Sequence, residues 1–373
     1  MRPPSAIASP RVRTSSFRRL FCTVVLSSAA LLRPVAVDAE EPTSATAPYR
    51  LPDDPREMLR LTPEMLAFFN ARVHRRATVE MRLDEIAAAI LAERGLHFRY
   101  VADGMWDVRE AFRRRAGNCV TYSMLVVAVA RAYGIHAEFN EVQTEPRWSR
   151  LGPIVLESRH LNVWVGTVGG GYEIDLILPE ELRESRRSAV VVSDERAWAS
   201  AYTNAGVYRL AAGERAEAFA LLERAVSIDP TFSGAWTNLG CAHQIGGEPE
   251  LAATCFKRAL AHAPATMSAL SGLARIERAA GHFAEAERLE RRVRSYRERN
   301  PYYLLAVARN QLERDRPESA RRYLTRAISL KKDEPELYEA MIEVSRRLGA
   351  AREADRWARR LAGTRDALAA DTR

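Results

Sequence analysis

The chain has 373 residues, 47% hydrophobic and 28% charged, enough for two domains with ordinary cores and unlike a wholly disordered polymer. Its net charge of +8 is concentrated: residues 1–39 hold six arginines and one acid, so +5 sits there and +3 is spread over the rest. That remainder lacks the dense basic excess of a phosphate-tracking surface, which argues against a nucleic-acid partner.

Arg18 and Arg19 precede LFCTVVLSSAALL. This apolar run is shorter than the ~20 residues that a membrane-crossing helix requires. VAVDAEE follows, with Val37 and Ala39 as small side chains suited to a signal-peptidase cut after Ala39. Residues 1–39 are therefore expected to be a signal peptide, making the mature protein periplasmic or secreted and without a stable membrane span. An uncleaved N-terminal anchor is the alternative. Residues 40–60 are expected to be a linker. The mature chain would keep Cys119, Cys241 and Cys255, an odd set for an oxidising compartment. Pairing of Cys241 with Cys255 stays open, and Cys119 would remain free.

From residue 61 the pattern is helical. Thr62 and Pro63 suit an N-cap and first helical position for LTPEMLAFFNARV. MRLDEIAAAILAERG has helical spacing and stops at Gly95, and Met105–Arg115 reads as a further helix. After Cys119, TYSMLVVAVARAYG is apolar on nearly every face and predicts a buried central helix ending at Gly134. IHAEFNEV alternates as a strand, and a polar loop is expected through Trp148. HLNVWVGTV, a turn at Gly169–Gly171, and YEIDLIL predict an antiparallel hairpin, with His160 opening its first strand and Asp175 on its second.

A cysteine at a helix start, with a histidine and an aspartate on neighbouring strands, is what a nucleophilic thiol requires. The helix terminus favours thiolate, the imidazole moves the proton, and the carboxylate fixes the imidazole. Cys119 also reads as an inert core thiol, since free cysteines are often buried. Asp175, flanked by Ile174 and Leu176, needs a partner on an apolar strand. His136 reads as solvent-facing or structural. Asn118, Tyr122, Trp148 and Asn162 are candidates for lining the site, although Trp106 and Trp148 also read as core aromatics. The Cys119 backbone N–H is the simplest oxyanion donor. A zinc site from the same three groups lacks any C-x2-C or H-x3-H pair, so neither metal nor cofactor is expected.

The rest of the chain repeats. GAWTNLGCAHQIGGEPELAATCFKRALAHAP carries Trp236, Leu239, Gly240, Ala252, Phe256, Ala259 and Pro264. Steps of 34 connect Ala218, Ala252, Ala286, Ala320 and Ala354, and connect Gly213, Gly247, Gly281, Asp315 and Gly349. Five units over 199–368 resemble tetratricopeptide repeats, leaving 369–373 as a tail. The late Pro301 and Pro335 predict longer second helices in units three and four. The arginines of the last unit read as a solvated capping face.

RAGNCVTYSMLVVAVARAYGIHAEFNEV, HLNVWVGTV and YEIDL together resemble the transglutaminase-like cysteine hydrolase superfamily. The resemblance implies an α+β transglutaminase/papain-like core over residues 61–195, followed by an all-α tetratricopeptide solenoid. It implies Cys119 as nucleophile with His160 and Asp175 completing a triad, acting on protein or peptide amides. Two departures are Trp164 four residues after the histidine, and Leu176 where a proline often follows the aspartate. For the repeats the resemblance implies a concave surface that takes a protein. Two functions follow: an exported thiol acyl-transfer enzyme whose array recruits substrate, or a non-enzymatic binding module with a lapsed core.

Overall fold

The computed structural model describes residues 51–151, 154–167, 170–175 and 186–371. The expected signal peptide, residues 40–50 of the expected linker, and residues 372–373 of the tail lie outside them. From Leu51 onward the chain is not a linker. A short 3-10 turn, Pro55–Leu59, puts Met58 at 0% exposure in the core, because Asp54 caps the turn and aims its apolar residues inward.

Helices α1 (Pro63–Asn70) and α2 (Val79–Leu91) start on Thr62 and Thr78, whose hydroxyls accept from the amides of Met65 and Met81. β1 (Arg99–Tyr100) pairs in parallel with β2 (Ala116–Gly117), enclosing α3 (Val108–Arg114). This small ladder was not legible from periodicity, since two-residue strands have none. α4 (Cys119–Ala132) is the buried central helix, with every residue from Val120 to Ala130 buried.

α4 packs on an antiparallel sheet of β3 (Ala137–Leu151), β4 (Ile154–Thr167), β5 (Gly170–Ile174) and β6 (Arg186–Val192), ordered β5-β4-β3-β6. Ser123 on α4 donates to the Leu161 carbonyl at 3.1 Å. The expected polar loop before Trp148 is instead strand. β3 continues to Leu151, paired with β4 from Arg147↔Ser158 to Leu151↔Ile154 beyond a bulge. β6 leaves β3 after Thr144, so Pro146 falls on an edge where its missing N–H breaks no ladder. β4 therefore begins six residues before His160, and Asp175 is the first residue after β5.

Ten helices follow: α5 (Asp194–Ala211), α6 (Arg215–Ile228), α7 (Ser233–Ile245), α8 (Pro249–His262), α9 (Met267–Ala279), α10 (Phe283–Arg297), α11 (Pro301–Glu313), α12 (Pro317–Leu330), α13 (Pro335–Arg347) and α14 (Ala351–Asp371). The second helix of each pair starts 34 residues after the last, at 215, 249, 283, 317 and 351. Gly213, Gly247, Gly281 and Gly349 all have φ between 70° and 83°, and Asp315 has 53°. The left-handed turn between paired helices demands glycine, and aspartate is one of the few substitutes. Ala218, Ala252, Ala286 and Ala320 are fully buried where paired helices touch. The second helix of unit three is only one residue longer than those of units one, two and four, so Pro301 and Pro335 mark something else. They occupy the first turn of α11 and α13, where proline needs no amide partner. The arginines Arg352, Arg356, Arg359 and Arg360 of α14 are exposed, as a capping face requires.

The two parts share one core. Ala197, Ala199, Ala201 and Tyr202 of α5, with Ala225 and Phe232, cluster with the α4 and sheet residues. Arg131 at the end of α4 holds Asp194 with bonds of 2.6 and 2.8 Å.

Candidate active site

Cys119 is the first residue of α4 and partly exposed. The chain before it is fixed from three sides. Val101 N donates to Gly117 O, Asn118 N donates to Gly104 O, and Thr121 Oγ1 donates to Gly104 O. A Cβ at Gly117 would stand 2.5 Å from Thr121 Cγ2, so any larger residue would displace Thr121 from this close approach. Asn118, expected to line the site, is the N-cap. It is 3% exposed, and its side-chain Oδ1 accepts from Thr121 N at 3.1 Å. The cap leaves the amides of Cys119 and Val120 at the positive end of a fourteen-residue helix.

His160 and Asp175 meet beside this terminus. His160 Nε2 lies 2.6 Å from Asp175 Oδ2, and the Cys119 thiol is near enough to act on the imidazole electrostatically. With Nε2 committed to the carboxylate, Nδ1 is the ring nitrogen left for sulfur. His160 is 8% exposed. Burial opposes its charge, but the Asp175 carboxylate and the Cys119 thiol outweigh burial and push its pKa up to about 10. The pair is thereby biased toward imidazolium.

Asn162, two residues along β4 and on the same face as His160, donates to Asp175 Oδ2 at 3.2 Å. Asn140, opposite it on β3, donates to Asn162 Oδ1 at 2.8 Å. Both are buried, so the carboxylate is held by a chain of amides. Asn140 was missed from the sequence. Its signal was a polar residue between Phe139 and Val142 in a strand with a buried register.

Two candidates lie elsewhere. Tyr122 is 1% exposed and packs on Phe98 in the core. Trp148 stands on the β3–β4 extension, edge-on to Tyr296 of α10 at 5.5 Å. The helical part supplies a neighbour no motif suggested: Tyr208 of α5. Burial, Asp103 and Cys119 together push its phenol up to about 12. Tyr100 of β1 is shifted upward by burial and by the same thiol. Cys241 and Cys255 are unpaired thiols that burial pushes up to about 11, which suppresses their reactivity. His136 is exposed, as expected of a solvent-facing residue. Among the described residues no cluster of three His, Cys, Asp or Glu side chains is arranged to hold a metal ion. No helix among them is long and apolar enough to cross a membrane.

Residues 69–210 match the transglutaminase-like superfamily core. Residues 199–232 and 266–300 each match a tetratricopeptide repeat. Comparison with curated proteins finds no match. Among solved structures, PilF of Pseudomonas aeruginosa is similar at 22% identity and TM-score 0.37, over 46% of this chain and 77% of that one. MamA of Desulfovibrio magneticus is similar at 15% identity and TM-score 0.32, over 45% of this chain and 96% of that one. The chain thus joins a transglutaminase-like core domain to a C-terminal array of tetratricopeptide repeats.

Proposed function

We propose that the protein is an exported thiol enzyme that transfers acyl groups from protein or peptide amides. The observation that carries this reading is the relay from Asp175 through His160 to Cys119, ending at a helix N-terminus. The Cys119 sulfur attacks the amide carbonyl carbon, and the oxyanion faces the amides at the start of α4. The C–N bond breaks as His160 passes its proton to the departing amine, leaving a thioester. Water or a second amine then attacks the thioester, giving up a proton to His160 and returning the thiolate. Water makes the enzyme a peptidase or deamidase, and an amine makes it a transglutaminase. Asp175, braced by Asn162, keeps the ring in one tautomer throughout. The array brings the protein partner to the site. A groove of about 330 Å³ between Arg150 and α11, lined also by Tyr302, Leu305 and Arg309, is open to such a partner.

The test is the pH dependence of iodoacetamide labelling at Cys119. Labelling at pH 6–7, with an acid limb lost in His160→Ala, supports the enzyme. A rate that tracks an ordinary thiol and ignores His160→Ala overturns it and leaves the non-enzymatic module. Cys119→Ala used as a trap on cell-envelope extracts would then identify the substrate.

A further inference from the structure

The extension of β3 and β4 beyond the sheet is an arm formed by residues 147–151 and 154–158. β6 pairs β3 only to Thr144, and β5 pairs β4 only from Val163, so among the described residues the arm is a two-stranded ribbon. Such a ribbon is marginal by itself. The repeats hold it. The Tyr296 hydroxyl donates to the Glu157 carboxylate, and the Tyr296 ring meets Trp148 edge-on. Arg150 pairs with Glu336 on α13 and sits 5.4 Å from the Tyr302 ring centroid on α11. By register, Trp148, Arg150 and Glu157 share one face of the ribbon, while Ile154 belongs to the other. Ile154 packs against the Leu210, Leu222 and Leu239 cluster of repeats one and two. Both faces of the arm are therefore gripped by the array.

Of the two gripped strands, β3 is paired to β4 along the arm, and β4 bears His160. Glu157 lies three residues before it, about 10 Å along the strand. We propose that repeats three to five clamp the arm to set the imidazole of His160 between Cys119 and Asp175, making Tyr296 and Glu336 positioning residues. This rests on the acyl-transfer reading above. A protein that displaces the arm from α11 and α13 would loosen His160, so occupancy of the array and reactivity of Cys119 are coupled.

The experiment uses the whole chain and two readouts: Cys119 labelling by iodoacetamide from pH 5 to 9, and the titration of the His160 ring resonances by NMR. Glu336→Arg and Arg150→Glu should each lower labelling at pH 6–7 by about fivefold and move the His160 titration midpoint. Combining them as a charge swap should restore both, with circular dichroism unchanged throughout. Tyr296→Phe should act in the same direction as the single charge reversals. Singles that leave the His160 resonances at their original positions, or a swap that restores nothing, overturn the clamp. If His160→Ala leaves labelling untouched, the acyl-transfer reading falls, while the His160 resonances still decide whether the array positions that ring.

Discussion

The array and the transglutaminase-like domain pack against each other yet encode their structures in opposite ways. In the array one rule recurs every 34 residues: a left-handed residue at 213, 247, 281, 315 and 349, and a small residue at 218, 252, 286, 320 and 354. A substitution there perturbs packing, and its neighbours in the period predict how. Gly240 leaves room for Phe256, whose ring atom would stand 2.7 Å from an added Cβ. Where Glu290 replaces the aromatic, Ala274 replaces the glycine, and Glu290 turns outward to Arg278 at 2.6 Å. In the domain nothing recurs. Cys119, His160 and Asp175 are brought together by a helix start, a strand and a strand end, and each has its own support. Periodic sequence thus specifies shape with redundancy, whereas the site depends on single residues.

That contrast can be broken. Cys119→Ala should abolish labelling at that residue and reduce acyl transfer by at least ~10³-fold in a peptide-amide release assay. Cys241→Ser should leave turnover unchanged, and a shared loss would show that the array carries chemistry too. Asp175→Asn should lower turnover by roughly 10²–10⁴-fold while folding is kept, because the tautomer is lost. Stability should carry the mark of His160. Its folded pKa is raised, so the imidazolium contribution is complete below about 6.5. It is lost as pH rises toward about 10. The melting temperature should fall over that window and fall less in His160→Gln.

In the array, Ala252→Leu should cost about 1–3 kcal/mol by overpacking a fully buried helix contact, read by chemical denaturation. The smallest effect sharpens the comparison. Asp315→Gly, at φ 53°, should stabilise the array by up to ~1 kcal/mol because it relieves the only left-handed non-glycine among the five turns. A destabilised variant would mean that the Asp315 side chain makes a local contact worth more than the strain.

Much of this is legible in the sequence. Thr62 as a cap, α4 as a buried helix and the 34-residue register follow from local propensity and periodicity, which depend on residues close in sequence. The types and order of Cys119, His160 and Asp175 were also readable, since a free cysteine at a helix start needs an acid–base partner. Asn118 was read as a site-lining residue, and its amide instead completes the N-cap of the same helix. Tyr122 and Trp148 are site candidates in the sequence, and helical and strand phase carry one to the core and the other to the array.

What the sequence determined alone is therefore whatever repeats or is capped locally: the helices, their turns and the chemical identity of the candidate site. Tertiary structure decided which imidazole nitrogen meets Asp175, that Asn140 supports Asp175 through Asn162, and that a polar stretch before Trp148 is strand. It also decided that α5 belongs to both cores and that the arm lies in the grip of the repeats. Each of these joins residues far apart in the chain, through contacts that carry no period, so only packing could settle them.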